Sequence, residues 1–346
     1  MRSVPIFDLE SSHQLTTDIF VAFKQILIMQ ASSSDTEPVS RLVALPNGHR
    51  LSVVIAGPQR QADVPITIII PGVACSMTEW AGVRRLLSPN TSVLLYERSG
   101  LGASDESEAS PTASDIACEL DVLLQTLAIA PPYVLVCHSY GGIIAREFVD
   151  LRQRAGGDDV VGMVCVDANQ EDSIRLWPDS DLSDLGKGLD WYTAIGLDEE
   201  NVLADAEWQA VRDEQRSEKH QRTTQKEMEH YVESCKELGA KKQLERHPPL
   251  LGNHPVSVIR GHPERDLRRV LQIAATVGNG TEEQRRQFGE RLDLYPNIHE
   301  GIQKEILKLS LQHRFLDVPE CGHFIHLMKP EIVVEEVRWV LQLQRG

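Results

Sequence analysis

A serine at position 139 sits in the run Tyr133-Val134-Leu135-Val136-Cys137-His138-Ser139-Tyr140-Gly141-Gly142, followed by Ile143-Ile144-Ala145-Arg146-Glu147-Phe148-Val149. An apolar strand, a Ser among small residues and then a helix make the strand-turn-helix arrangement of a nucleophile elbow. The turn is tight enough that the residues two places either side of the Ser must be small, and here they are Cys137 and Gly141. It lifts the hydroxyl above the end of a sheet and aims the first unpaired N–H groups of the helix at an oxyanion formed there. The expected chemistry is nucleophilic attack on a carbonyl. Cys137 replaces the first Gly of G-x-S-x-G, and a plain buried strand with a Gly-softened helix start fits the same residues, so the flanking segments must decide.

Three segments bear on that serine. Pro71-Gly72-Val73-Ala74-Cys75-Ser76-Met77-Thr78-Glu79-Trp80 follows an apolar strand, and a Gly-containing loop there can turn the Val73 N–H toward the hydroxyl. The N–H of Tyr140 is the expected second donor to the oxyanion. His323, in Glu320-Cys321-Gly322-His323-Phe324-Ile325-His326, lies between the last strand and the last helix. A general base needs a near-neutral pKa and a loop that lets it reach the hydroxyl, and His323 has both; His326, three residues on, should point away and support the loop. His138 is expected to pack under the elbow. Three carboxylates could orient the imidazole: Asp167 at the end of the apolar run 160–166, and Glu264 and Asp266 in Arg260-Gly261-His262-Pro263-Glu264-Arg265-Asp266.

The elements that must position these groups follow from hydrophobic patterning. Arg41 to Leu45 and Leu51 to Ile55 flank Pro46-Asn47-Gly48, a hairpin signal. Ile66 to Ile70, Val93 to Tyr96, Tyr133 to Cys137, Val160 to Val166 and Val256 to Ile259 are short, nearly all-apolar runs separated by helix-length segments. Such runs are strands buried on both faces, so the expected fold is a mixed, doubly wound α/β domain. Residues 41–169 and 252–346 form its core. Residues 170–251 read as a helical cap, with helices around 184–195, 205–220 and 225–244; the last is expected to open with a Thr224-x-x-Glu227 capping box and to carry Met228, Tyr231, Val232, Cys235 and Leu238 on one face. A second insertion should hold a helix capped by Thr281-x-x-Gln284 and another from Ile302 to Leu311; the strand His313 to Val318 and a helix opening at Pro330 close the chain. Residues 1–40 are an N-terminal extension whose apolar segment 19–29 is too short to span a bilayer and could pack on the body, pair two copies in a homodimer, or lie on a membrane.

Composition narrows the partners. The 346 residues carry 51 acids against 35 bases, a net charge of -16, which argues against nucleic acid or an anionic membrane surface. The six Cys, at 75, 118, 137, 165, 235 and 321, form no CxxC pair, as expected of reduced thiols in a cytoplasmic protein without disulfides, and Met1-Arg2-Ser3-Val4-Pro5 is not expected to start a signal peptide. Neither a metal nor another cofactor is expected.

Five segments in order, Gly72 to Trp80, Tyr96-Glu97-Arg98-Ser99-Gly100-Leu101-Gly102-Ala103-Ser104-Asp105, Pro132 to Gly142, Val164-Cys165-Val166-Asp167-Ala168 and Cys321-Gly322-His323, resemble the α/β-hydrolase fold superfamily, and in particular a microbial serine esterase or lactonase-like branch. The resemblance implies a mostly parallel eight-stranded sheet with a helical lid, a Ser–acid–His triad in that chain order, and an oxyanion hole of two backbone N–H groups. It places Asp167 ahead of Glu264 and Asp266. Pro71 and Glu97 depart from the His and Asp that many members carry there. Ser rather than Asp at 139 speaks against epoxide hydrolase and dehalogenase chemistry, which use a carboxylate nucleophile. The function expected is hydrolysis of an ester, lactone or thioester of a small apolar molecule. Lyase, acyltransferase or cyclase chemistry in secondary metabolism is the alternative. Trp177, Trp191, Tyr192, Met228 and Tyr231 of the cap are expected to wall the substrate pocket.

Overall fold

In the computed structural model, which describes residues 40–176 and 181–344, each apolar run forms a strand with almost no solvent contact. The strands are β1 (Arg41–Ala44), β2 (Arg50–Ala56), β3 (Ile66–Ile70), β4 (Val93–Tyr96), β5 (Tyr133–His138), β6 (Val160–Val166), β7 (Val256–Arg260) and β8 (His313–Asp317). They make one eight-stranded sheet in the order β1-β2-β4-β3-β5-β6-β7-β8. The hairpin β1–β2 and the β2–β4 pair are antiparallel, and all other pairs are parallel. At the hairpin turn Gly48 has φ +84° and its N–H donates to Leu45 O at 2.8 Å, as the Asn-Gly pair predicts.

The central strands are buried on both faces because side chains alternate along each strand. Ile68, Ile70, Leu94 and Leu135 join one apolar cluster with α2 (Ala113–Thr126) and α3 (Gly141–Arg154). Ile69, Leu95, Val134 and Val136 join the opposite cluster with α1 (Ala81–Leu87) and α12 (Pro330–Leu343). Burying each Val, Leu or Ile contributes about 1.5–3 kcal/mol. This two-sided wrapping explains why the strand runs show little polar alternation.

The described part of 170–251 contains helices and no strand: α4 (Asp181–Leu185), α5 (Trp191–Ala194), α6 (Leu197–Glu200), α7 (Asp205–Arg216) and α8 (Glu218–Ala240). The stretch read as one helix over 184–195 is broken into two short ones, with Gly188 at φ +72° between them. Helix α8 starts seven residues before the expected point, because Ser217 caps it by accepting from His220 N–H. Thr224 is thus not a cap; it lies inside the helix and its hydroxyl donates to His220 O at 2.8 Å. The buried face is Thr223, Glu227, Tyr231, Ser234, Cys235 and Leu238, while Met228 and Val232 are exposed. After β7 come α9 (Pro263–Val277) and α10 (Glu282–Glu305), the latter capped by Thr281 with Gln284 as expected. The helix read over 302–311 is instead the end of α10 and a short turn at Ile306–Leu309, since α10 continues through Pro296. The short α11 (Ile325–Met328) precedes α12. The apolar segment 19–29 lies outside the described residues.

Candidate active site

The parallel register ends neighbouring strands level with one another: Ile70 is opposite Cys137, His138 opposite Val166, and Val166 opposite Ile259. The loops that leave β3, β5, β6, β7 and β8 therefore meet at one edge, and these loops carry Gly72, Ser139, Asp167, Gly261 and His323. Carboxyl ends of parallel strands are where α/β sheets bind ligands.

Ser139 has φ 51°, a left-handed conformation that a non-Gly residue adopts only when its surroundings enforce it. Two N–H groups hold the turn from below, Gly142 and Asn169 both donating to Ser139 O at 2.9 and 2.7 Å. A Cβ on Gly141 would sit 2.1 Å from Ile70 O, and one on Gly72 would sit 2.9 Å from the Ser139 Cβ, so both close approaches require glycine. Cys137 is tolerated because its thiol turns toward β6, 3.8 Å from the Cys165 Sγ. Ser139 itself is partly exposed. Tyr140 opens α3, where its N–H has no helical carbonyl ahead of it.

The His323 Nδ1 lies 2.6 Å from Asp167 Oδ2. Of the three carboxylates in question, Asp167 is the one that meets the ring. Burial alone would raise the Asp167 carboxyl, but the adjoining His299 and His323 rings outweigh it and hold it well below the usual carboxylate range. An ionised Asp167 accepts, so His323 Nδ1 carries the proton and Nε2 keeps its lone pair. The Gly261 N–H donates to Asp167 Oδ1 at 2.9 Å, and His299 Nε2 lies 3.3 Å from the same oxygen. Asp266 acts on the main chain instead, its Oδ2 accepting from His323 N–H at 2.8 Å. Glu264 pairs with His262 at 3.0 Å.

The other histidines divide as their neighbours dictate. His138 is fully buried, and its Nε2–H donates to His323 O at 3.0 Å. Burial first, then the His326 and His323 rings, push it well below the usual imidazole range, so it stays neutral. His326 stacks on Trp80 with ring centroids 4.3 Å apart and supports the loop. His299, not among the candidates read from the sequence, is a neighbour of the site: α10 brings it to Asp167 from across the fold, and nothing local in the sequence signals that contact.

The residues expected to wall a pocket lie in different parts of the fold where they are described. Trp177 lies outside the described residues. Met228 is 55 % exposed on the outer face of α8, one position off its buried stripe, and so lines nothing internal. Trp191 and Tyr192 pack into an apolar cluster with Phe324 and Leu327, and the Tyr192 hydroxyl donates to Glu79 Oε1 at 3.1 Å. Tyr231 alone lies beside the elbow, its ring centroid 5.6 Å from that of Tyr140 and its hydroxyl accepting from Asn169 Nδ2 at 2.8 Å. Among the described residues no group of His, Cys, Asp or Glu is arranged to hold a metal ion.

The sequence pattern of the alpha/beta hydrolase family matches residues 68–336, which span every loop of this site. The chain belongs to the alpha/beta hydrolase family. An AB hydrolase superfamily protein of Gibberella zeae is 33 % identical over 317 residues, covering 89 % of this chain and 96 % of that protein. The protein named "Probable transporter efuK" of Hormonema carpetanum is 32 % identical over 299 residues, 85 % of this chain but 42 % of its own length. Among solved structures, Cfl2 of Burkholderia cenocepacia superposes with TM-score 0.59 at 17 % identity, covering 87 % of this hydrolase and 95 % of Cfl2. The enol-lactonase of Burkholderia xenovorans LB400 does so with TM-score 0.53 at 17 % identity, covering 87 % and 100 %. At such identities the likeness is one of fold. In this alpha/beta hydrolase no described helix is long and apolar enough to cross a membrane.

Proposed function

We propose that this alpha/beta hydrolase is a serine hydrolase that cleaves an ester, lactone or thioester of a small apolar molecule through an acyl-enzyme. The observation that carries the reading is a partly exposed Ser139 at φ 51° on the same sheet edge as an Asp167–His323 pair 2.6 Å apart. In the proposed reaction His323 Nε2 takes the Ser139 proton as Oγ attacks the carbonyl, and the N–H groups of Val73 and Tyr140 bind the oxyanion of the tetrahedral intermediate. The intermediate collapses, the protonated His323 gives its proton to the leaving group, and the acyl group stays on Ser139. Water, deprotonated by His323, then attacks the acyl carbonyl, and the imidazolium returns that proton to Ser139 Oγ as the acid leaves. Asp167 keeps Nδ1 protonated throughout and offsets the charge of the imidazolium.

An ester or lactone fits better than a CoA thioester, because no cluster of Arg or Lys accompanies the motifs to bind a phosphorylated tail. A serine nucleophile also separates this chain from dehalogenase and epoxide hydrolase chemistry, despite the shared fold. The test is turnover of a panel of p-nitrophenyl esters and simple lactones in ¹⁸O-water. We expect label in the carboxylic acid, and loss of about 10⁴-fold or more in kcat on Ser139→Ala. Undiminished turnover by the Ala variant would exclude the covalent mechanism, and product without label would favour acyl transfer or another non-hydrolytic use of the site.

A further inference from the structure

The loop that supplies Val73 is held by a residue far away in sequence. Glu227, on the inserted helix α8, accepts from the Ala74 N–H through Oε2 at 2.6 Å. The same carboxylate accepts from Arg98 Nε at 2.7 Å and Nη2 at 3.0 Å. Arg98 in turn donates from Nη1 to Pro71 O at 3.0 Å and from Nη2 to Gly72 O at 2.6 Å. Both side chains are fully buried, 2 % and 1 % exposed, so the contacts are not weakened by solvent.

A peptide unit is planar and trans, so the direction of one carbonyl dictates the direction of the next N–H. Gly72 C=O and Val73 N–H belong to one peptide plane. With that carbonyl drawn onto Arg98, the Val73 N–H must face the opposite way. The following plane, Val73 C=O with Ala74 N–H, is fixed by Glu227 itself, and Ala74 is held at φ 54°. Gly72 O also closes a turn with the Cys75 N–H at 3.2 Å, so both peptide planes that bound Val73 are held by one ion pair together with that turn, and one member of the pair comes from the insertion. Helix α8 also reaches the second donor's residue: Ser234 Oγ lies 2.9 Å from the Tyr140 hydroxyl.

We propose that Glu227 is a positioning residue which, with Arg98, orients the Val73 N–H as an oxyanion donor, so that seating of helix α8 on the core makes the site competent. This rests on the reading of Ser139 as nucleophile. Glu227 touches no reacting atom; it acts through the loop.

Two variants test it with the full chain. Glu227→Gln keeps the shape and removes the charge; Glu227→Asp keeps the charge and withdraws it from Ala74. Each is assayed for the second-order rate of Ser139 labelling by a fluorophosphonate, for the final number of labelled sites, and for kcat and KM on the best p-nitrophenyl ester. Because losing one oxyanion donor outright costs about 10²–10³-fold, misaligning it should slow labelling and kcat by roughly 10- to 100-fold. All sites should label in the end, and KM should move by less than about threefold, since the lost interaction is made only in the transition state. Wild-type rates in both variants overturn the proposal. So does a lower apparent rate that reflects only a lost fraction of sites, the survivors reacting as wild type. Failure of wild-type protein to label at Ser139 overturns instead the reading on which it rests.

Discussion

Asp167 on one flank of Ser139 and Glu79 and Glu97 on the other are buried to a similar depth and held in opposite states. On the β6–β8 flank, Asp167 meets His323, His299 and the Gly261 N–H and is held ionised. On the β3–β4 flank, Glu79 and Glu97 meet mainly hydroxyl and backbone groups: Glu79 accepts from Tyr192, and Glu97 accepts from Ser76 at 2.6 Å and Met77 N–H at 3.1 Å. Burial dominates there and pushes both up to about 7. Desolvation acts on all three, so partners rather than depth decide the charge. Asp167 faces the imidazole, as the proposed mechanism requires; Glu79 and Glu97 hold the loop that follows Gly72.

The sharpest way to break this contrast is to make the two flanks alike. Asp167→Asn keeps the volume but cannot hold Nδ1–H in the same tautomer, and should lower kcat by about 10⁴-fold with the fold intact. Steady-state kinetics beside a circular dichroism spectrum check this. Asp266→Asn should cost far less, about tenfold, because an amide oxygen can still accept from His323 N–H. Equal losses at the two positions would mean that Asp266 shares the role given to Asp167.

The smallest effect is on stability. Folding raises Glu79 from an ordinary 4.5 to about 7, so between those values the folded chain binds more protons than the unfolded one. Its contribution is therefore fully present below about pH 4.5 and is lost as pH rises through about 7. Glu79→Gln removes this dependence, and its Tm relative to wild type should climb from pH 5 to pH 8 by roughly 2–4 °C for each kcal/mol involved. A Tm difference that stays constant with pH would show that Glu79 is already ionised in the folded chain.

The sheet was legible in the sequence because strands buried on both faces leave unbroken apolar runs, and Asn47-Gly48 marks its hairpin. Ser139 and His323 were legible because local chemistry places them: small neighbours at a strand end for one, a Gly before a loop His for the other. The choice among Asp167, Glu264 and Asp266 was legible only through the family resemblance, since all three end or follow strands on one edge and only packing selects which meets the ring. The inserted helices were the least legible. Thr224 and Glu227 have capping-box spacing, yet Ser217 caps α8 earlier and Glu227 spends its carboxylate on Arg98 and Ala74, a contact across 129 and 153 positions in sequence. His299 reaches Asp167 by the same kind of long-range packing, which local periodicity does not record.

The central claim is that Ser139 is a nucleophile made reactive by His323 and Asp167, and covalent trapping tests it most directly. Folded protein is treated with a fluorophosphonate, digested, and the adduct located by peptide mass spectrometry. The account predicts one adduct, on the peptide bearing Ser139, abolished by Ser139→Ala and strongly slowed by His323→Ala. Labelling at another residue while Ser139 stays unmodified, or labelling of Ser139 at an unchanged rate without His323, would contradict it.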